Sequence, residues 1–284
     1  MILKTLTNKK NQKLSKLISD ELGLGYNQIQ KIIRNKDVKV SGKRISKDVD
    51  LIIGDFVEIF LSEKPIKIVY EDDDVVVVEK PRNIETICES SEDDLITKLS
   101  EKFGGQVFAV HRLDRNTSGL VIFAKNEKAK YSLDRVIKDR KLEKFYLAKV
   151  VGVPQKSQEK LVAYLKKDAK NSRVFVSDKK QKSFEEIKTN YKVVEKDEIF
   201  SILEVELVTG KTHQIRAHLS HIGFPILGDE KYGNFEINKK YKKKYQCLSA
   251  YKLIFHFEEN DYLYRLNGLV VELDKNEIDF LKNN

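Results

Sequence analysis

Apolar residues recur at helical spacing at Leu14, Leu17, Ile18 and Leu22, and again at Ile29, Ile32 and Ile33, which predicts two short helices separated by Gly23 and Gly25. The period then shortens. Val38 and Val40 alternate into a turn at Ser41 and Gly42, and "DLIIGDFVEIF" reads as a further strand with a glycine turn. Beyond this point strands dominate. "IKIVYEDDDVVVVEKP" holds two β-rich runs about an acidic turn; "DDLITKLSEKF" reads as a helix, "GLVIFAKN" as an apolar strand and "EKAKYSLDRVIKD" as a second helix. Strands then follow at "EKFYLAKVVG", "LVAYL", "RVFVS", "FEEIKTNYKVV", "FSILEVELVTG" and "SAYKLIFHF", interrupted by a helix at "THQIRAHLSHIG" and closed by a helix at the C-terminus. This order lacks regular βαβ alternation and predicts an α+β chain on a largely antiparallel sheet.

"SEKPIK", residues 62–67, reads as a linker, because Pro65 cannot continue a strand's hydrogen bonding and its neighbours are polar. The expected domains are therefore 1–61 and 68–284. A length of 284 residues accommodates a small domain beside a large one. Lysine and arginine total 53 against 44 acidic residues, a formal charge of +9 that favours an anionic partner, nucleic acid first. A lysine-rich solubilising surface gives the same charge, so motifs must decide. The first domain's outer face carries Lys31, Arg34, Lys36, Lys39, Lys43 and Arg44.

Two cysteines, Cys88 and Cys247, lie far apart and form no CxxC pattern, so neither a disulfide framework nor a thiolate metal cage is indicated and a reducing, cytoplasmic setting is expected. No signal peptide is evident at the N-terminus, and no apolar run approaches the roughly 18 residues of a membrane span. Asp72, Asp73 and Asp74 suit a hairpin tip better than a metal site. His218 and His221 share a helical face without a third ligand, so they and His213 are read as packing and hydrogen-bonding residues, and no metal is expected. "KKYKKKYQCL" reads either as an RNA-contacting mixture of lysine and tyrosine or as a flexible solvated loop.

Three elements of the second domain combine charged groups with turn glycines: "HRLDRNTSGL", "EKFYLAKVVG" and "LVTGKTHQIRAHLSHIGFPILGDEKYG". A carboxylate that does covalent chemistry must be charged, partly desolvated and aimed by rigid backbone, and a guanidinium nearby favours the charged form. Spacing alone does not join Arg216 to Asp114. These elements resemble the RluA-type pseudouridine synthases. The signature H-R-L-D-x-x-T-S-G-L is met at His111, Arg112, Leu113, Asp114, Thr117, Ser118, Gly119 and Leu120. K-x-Y-x-A-x-V-x-G is met at Lys144, Tyr146, Ala148, Val150 and Gly152, and the third element runs from Thr209 to Gly233 with Lys211 where arginine is usual. Residues up to about Phe60 resemble the S4 RNA-binding module, with "VKVSG" and "GDFVEI" as its hairpin and later element, and this arrangement of domains is that of the large-subunit ribosomal RNA members.

The resemblance implies an RNA pseudouridine synthase with Asp114 as the essential carboxylate, Arg216 as its ion-pair partner and Tyr146 as the ring that stacks on the target base. Arg112 would fill the gap left by the extruded nucleotide and Ile215 would pack against the base. Lys144, Lys211, His213 and Gln214 are expected at the RNA or substrate, as are Lys31, Arg34 and Lys39 of the S4-like part. Ribosomal RNA of the large subunit is the expected partner of a monomeric enzyme, with transfer RNA as the alternative. No cofactor is expected, because the substrate already holds every atom of the product. A glycosidic hydrolase would need two carboxylates where the motifs present one, and a non-catalytic RNA assembly factor would not need the Asp114, Tyr146 and Arg216 set.

Overall fold

In the computed structural model, which describes residues 2–61, 66–88, 94–168 and 170–281, the helical and alternating patterns of the first sixty residues close on their own core. The chain divides into two compact units, Met1–Pro65 and Ile66–Asn284. Residues 62–65 of the expected linker lie outside the described residues, and Lys67 already belongs to a strand of the second unit.

The first unit runs β1 (Ile2–Thr7), β2 (Gln12–Lys13), α1 (Leu14–Leu22), α2 (Tyr26–Arg34), β3 (Val38–Val40), β4 (Lys43–Arg44), β5 (Asp50–Leu51) and β6 (Phe56–Leu61). The helical spacing puts Leu14, Leu17 and Ile18 on one face of α1, opposite Ile29 and Ile33 of α2, and both helices cover Val38, Val57 and Ile59 of the sheet β1-β6-β3-β4. Gly23 ends α1 in the left-handed conformation that a residue with a Cβ resists. Strand β1 was not anticipated: its few alternating residues are too short a run to announce themselves, and pairing with β6 stabilises it.

The second unit runs β7 (Lys67–Glu71), β8 (Val75–Lys80), α3 (Leu95–Phe103), β9 (Phe108–Ala109), β10 (Ser118–Ala124), α4 (Glu127–Lys138), β11 (Leu142–Val151), β12 (Gln158–Asp168), β13 (Arg173–Ser177), β14 (Glu185–Lys196), β15 (Phe200–Leu207), α5 (Gln214–His221), α6 (Phe235–Lys240), β16 (Leu248–Phe255) and β17 (Val270–Glu272). It is α+β, as its element order predicts. The strands form one sheet in the order β13-β12-β14-β15-β11-β16-β10-β8-β7, with β9 on β10 and β17 on β16. Among the described residues every pairing in it is antiparallel except β10 with β16.

Both faces of the central strands are buried, which accounts for the unbroken apolar runs "VVVV" and "GLVIFA". Val76, Val78, Val121 and Phe123 point to the side covered by Leu95 and Leu99 of α3, Leu219 of α5, and Ile278 and Phe280. Val75, Val77, Leu120 and Ile122 point to the side covered by Ala129, Leu133 and Val136 of α4 and by Leu263, Leu266 and Leu273. The acidic turn between β7 and β8 is a hairpin tip: Asp72 accepts N–H bonds from Asp74 and Val75 at 2.9 and 2.7 Å, and Arg265 pairs with both Asp72 and Asp74.

Two local expectations need correction. The C-terminal helix is absent from the described residues; a 3-10 turn at Lys275–Glu277 stands there instead. Ile278 and Phe280 both turn into the core at a spacing of two, which an extended segment permits and a helix does not. The lysine-rich stretch is not a loose loop throughout: Asn234 caps α6, and Tyr241 packs edge-on against Phe200 at 4.8 Å. No helix of the described residues is long and apolar enough to cross a membrane.

Candidate active site

Asp114 lies on the loop between β9 and β10, and most of that loop's polar groups are tied down. The Thr117 N–H donates to the Asp114 carbonyl at 3.0 Å, the Gln246 amide donates to the Thr117 hydroxyl at 2.6 Å, and the Leu113 N–H donates to the buried Thr86 hydroxyl at 3.2 Å. Lys80, fully buried at the end of β8, sends three N–H bonds to the carbonyls of Pro81, Ile84 and Arg115 at 3.1, 2.8 and 3.1 Å. Burial pushes its pKa down to about 7, against the opposing pull of Asp114. The loop ends at Gly119, φ 113°, where a Cβ would stand 2.1 Å from the Ala250 carbonyl oxygen. Only glycine lets β10 approach β16 this closely, and that approach fixes where the loop leaves the sheet.

Helix α5 brings Arg216 to this loop. Residues 214–219 are all buried although half are polar, so each polar side chain must be bonded. The Gln214 amide donates to the Lys188 carbonyl and the Thr189 hydroxyl and accepts from Thr209 and the Lys211 N–H. His218 meets the same Thr189 hydroxyl at 3.0 Å, and burial pushes its pKa to about 4. Arg216 donates through Nη1 to Asp114 Oδ2 at 2.7 Å, and through Nε and Nη2 to Asp229 at 2.7 and 3.0 Å. Asp229 has no exposed side chain and also accepts the N–H groups of Lys231 and Tyr232. Burial alone would raise its pKa, but the Arg216 bonds and charge and these two amides hold it below the usual carboxylate range.

His213 caps α5 with a left-handed backbone, φ 54° and ψ 15°, an uncommon conformation for a residue with a side chain. Its Nδ1 lies 2.9 Å from the Tyr232 hydroxyl, which already accepts the Val174 N–H and so has its own proton to give. That assigns the ring proton to Nε2, 3.9 Å from Asp114 Oδ2. Burial lowers the His213 pKa more than Asp114 raises it, in keeping with a neutral ring.

These groups open onto a cleft of about 1140 Å³ lined by Asp114, Tyr146, Arg216, Arg112, Ile215, Lys144, Lys211, His213 and Gln214 among others. All nine residues expected at the site from this unit therefore meet in one place. Ten lysines and arginines line the cleft against five carboxylates, which suits a polyanion. Lys144 and Tyr146, two apart on β11, share one face of the strand. Burial lowers the Lys144 pKa, and burial together with the Asp114 charge pushes the Tyr146 phenol well above its usual range. His111 accepts the Ile122 N–H at Nε2, and burial with the nearby Lys144 charge pushes its pKa to about 3, so it is a neutral strut.

Arg112 is exposed and Ile215 is buried at the cleft wall. Gln214 lines the cleft but spends its amide on the protein, so it braces the loop before α5. Lys211 pairs with Glu185. In the first unit, Lys31 and Arg34 are exposed in the last turn of α2, while Lys39 and Arg44 lie over the Phe60 ring at 5.1 and 4.7 Å. Sequence reasoning assigned nothing to Asp229, Tyr232, Lys80 or Gln246. Asp229 and Tyr232 stand in "GDEKYG" and Lys80 in "EKP", but that Asp229 meets Arg216, Tyr232 meets His213 and Val174, and Lys80 meets the Arg115 carbonyl is set by the fold and not by local pattern.

The family profile described as RNA pseudouridylate synthase matches residues 74–221. An uncharacterized RNA pseudouridine synthase of Mycoplasma pneumoniae is 30% identical over 96% of this chain and 92% of its own length. Ribosomal large subunit pseudouridine synthase C of Rickettsia bellii is 30% identical over 80% of this chain and 83% of its own. The structure of human RNA pseudouridylate synthase domain containing 1 superposes with a TM-score of 0.64 at 24% identity, over 78% of this chain and 88% of that one, a likeness of fold.

Proposed function

Because the chain belongs to the RNA pseudouridylate synthase family, isomerases acting on RNA, we propose that it converts uridines of large-subunit (23S) ribosomal RNA to pseudouridine with Asp114 as the essential carboxylate. The observation that carries this is Arg216 joining Asp114, at the lip of a cation-lined cleft, to the fully buried Asp229. Asp114 keeps a partly exposed side chain, 27%, with one oxygen against the guanidinium. Asp229 has none, and its oxygens are taken. Of the two carboxylates that Arg216 joins, only Asp114 is therefore open to substrate, which suits isomerisation better than a hydrolysis that works through a pair of carboxylates.

In the reaction the bond from N1 of uracil to the ribose breaks, the base turns, and C5 joins the same ribose carbon; C5 loses a proton and N1 gains one. Nothing is added or removed, so no cofactor enters. A uridine inside a stack exposes neither C5 nor its glycosidic bond and must be extruded into the cleft. Arg112, exposed at the cleft, is flat and cationic and suits the vacated space. Ile215 and the Tyr146 ring offer apolar faces to the base. The Tyr146 phenol keeps its proton beside Asp114, so it enters the reaction as a ring and a hydroxyl donor, not as a ready base. Lys144, His213 and Lys211 supply polar contacts at the walls, and Gln214 holds the wall in place.

Residues 1–61 we read as an S4-like RNA-binding domain and the unit that begins at Ile66 as the catalytic domain, in a monomeric cytoplasmic enzyme. The exposed Lys31 and Arg34 and the Lys39 and Arg44 pair on Phe60 support an RNA-facing surface there. Large-subunit ribosomal RNA is favoured because the Rickettsia relative is named for it. Pseudouridine mapping in RNA from cells with and without this gene tests the reading. Loss of a 23S site is expected; loss confined to transfer RNA would overturn the target, and free uracil as the main product in vitro would overturn the isomerase.

A further inference from the structure

A second, smaller cleft of about 260 Å³ lies on the same unit, lined by Arg82, Lys242, Lys243, Lys244, Cys247 and Phe280, with Tyr245 and Asp279. Four cations face one carboxylate. Among the described residues Asp279, 77% exposed, pairs with Arg82 alone, at 3.5 Å, and no carboxylate pairs with Lys242, Lys243 or Lys244. The Arg82 Nε is buried without an acceptor among the described residues, while its guanidinium lies over the Phe280 ring at 5.8 Å. Like charges gathered without counter-ions repel one another, and the arrangement is relieved by an anion.

This cleft shares no lining residue with the large one, but the two back onto the same stretch of chain. Gln246 and Leu248 line the large cleft and Cys247, between them, lines the small one, so a single run of chain separates the two. Gln246 holds Thr117 of the Asp114 loop, and Lys80 and Asn83, on either side of Arg82, hold the Arg115 carbonyl of that loop. The lysine run is docked as well. Asn238 of α6 accepts the Gly228 N–H at 2.7 Å and donates to the Asp229 carbonyl at 3.0 Å, and a Cβ on Gly228, φ 81°, would meet the Tyr245 carbonyl at 2.1 Å.

We propose that this second cleft holds a phosphodiester of the substrate RNA, beside the nucleotide drawn into the large cleft, with Lys242, Lys243, Lys244 and Arg82 as its ligands. The proposal rests on the RNA-isomerase reading for its partner. Half-exposed Tyr245, 41%, adds a surface for a neighbouring base. Arg82 and Cys247 of this cleft stand next in the chain to Asn83 and Gln246, which hold the Asp114 loop, so the seat lies beside the large cleft.

The test replaces Lys242, Lys243 and Lys244 by glutamine in the full chain, with and without Asp114→Asn. Binding of a 23S RNA fragment is measured in the Asp114→Asn background, where turnover does not intrude. A rise in Kd of at least about tenfold and a fall of about 0.7–0.9 in the slope of log K against log salt are expected, the amount that one lost phosphate contact removes. With Asp114 present, the loss of kcat/KM should be carried by KM. An unchanged Kd and slope overturns the proposal, and so does an equal loss on replacing Lys160, Lys192 and Lys196, exposed lysines that line neither cleft. If the parent protein makes no pseudouridine while the triple change still weakens RNA binding, the activity reading fails and the phosphate site stands.

Discussion

Asp229 grips Arg216 through two hydrogen bonds, 2.7 Å to Nε and 3.0 Å to Nη2, and leaves Nη1 for Asp114. The guanidinium is thus a rigid bridge from the protein interior to the cleft. Lysine carries the same charge but one donor head, so it cannot serve both carboxylates. Arg216→Lys should lower turnover by about a hundredfold or more. Arg216→Ala should in addition cost about 3–5 kcal/mol, because Asp229 is left buried and uncompensated. Chemical denaturation beside steady-state kinetics separates the two; a fully active Arg216→Lys enzyme would show that the bridge is idle.

Asp114→Asn keeps shape and removes charge. Pseudouridine formation should fall by at least about a thousandfold, while RNA affinity stays within about threefold and the melting temperature barely moves, since Asp114 is partly exposed and meets Arg216 once. Tritium release from C5-labelled uridine in RNA measures it. Retained turnover would remove Asp114 from the chemistry.

Tyr146→Phe keeps the ring and deletes the hydroxyl. Because that phenol stays protonated beside Asp114, the hydroxyl can act only by donating or relaying a proton. A loss in kcat of about 10²-fold with KM little changed is expected. Equal kcat would mean that the ring alone matters.

Gly119→Ala places a methyl group 2.1 Å from the Ala250 carbonyl, in a backbone conformation that alanine resists. The two strands must separate, and a destabilisation of about 2–4 kcal/mol is expected, with activity lost in proportion. Urea unfolding of the variant decides it; wild-type stability would mean that the β10–β16 approach is slack.

The folded-state pKa of Asp229 is below the usual 3.8. The unfolded chain therefore binds the proton first as acid is added, and the stabilisation, complete above about pH 4–5, is lost as pH falls through the lower folded value. Unfolding free energy measured from pH 6 to pH 2 should drop less steeply in Asp229→Asn, which starts lower. Parallel curves offset by a constant would contradict the linkage.

The strand-rich order and most elements could be read from the chain because buried strands and amphipathic helices write their period into it. Strand β1 and the C-terminal segment could not, being short and held by partners elsewhere. The site divides in the same way. Asp114, Tyr146 and Arg216 sat in recognisable motifs, and the structure brings them to one cleft. Asp229 sat in a motif too, but its use depends on a side chain thirteen positions away on a buried helix. Lys80 and Gln246 act on the Asp114 loop from 35 and 129 positions away. No local pattern can record such distances.

The junction of β10 with β16 also sets a timetable. Ser118 and Gly119 pair with Ser249 and Ala250, and Gln246 braces Thr117, so the loop bearing the carboxylate cannot take its final form until the ribosome has released residues near 250. Contacts this far apart in sequence form late. A chain interrupted before that point carries Asp114 and Arg216 and still lacks the strand and the Gln246 brace that hold the Asp114 loop.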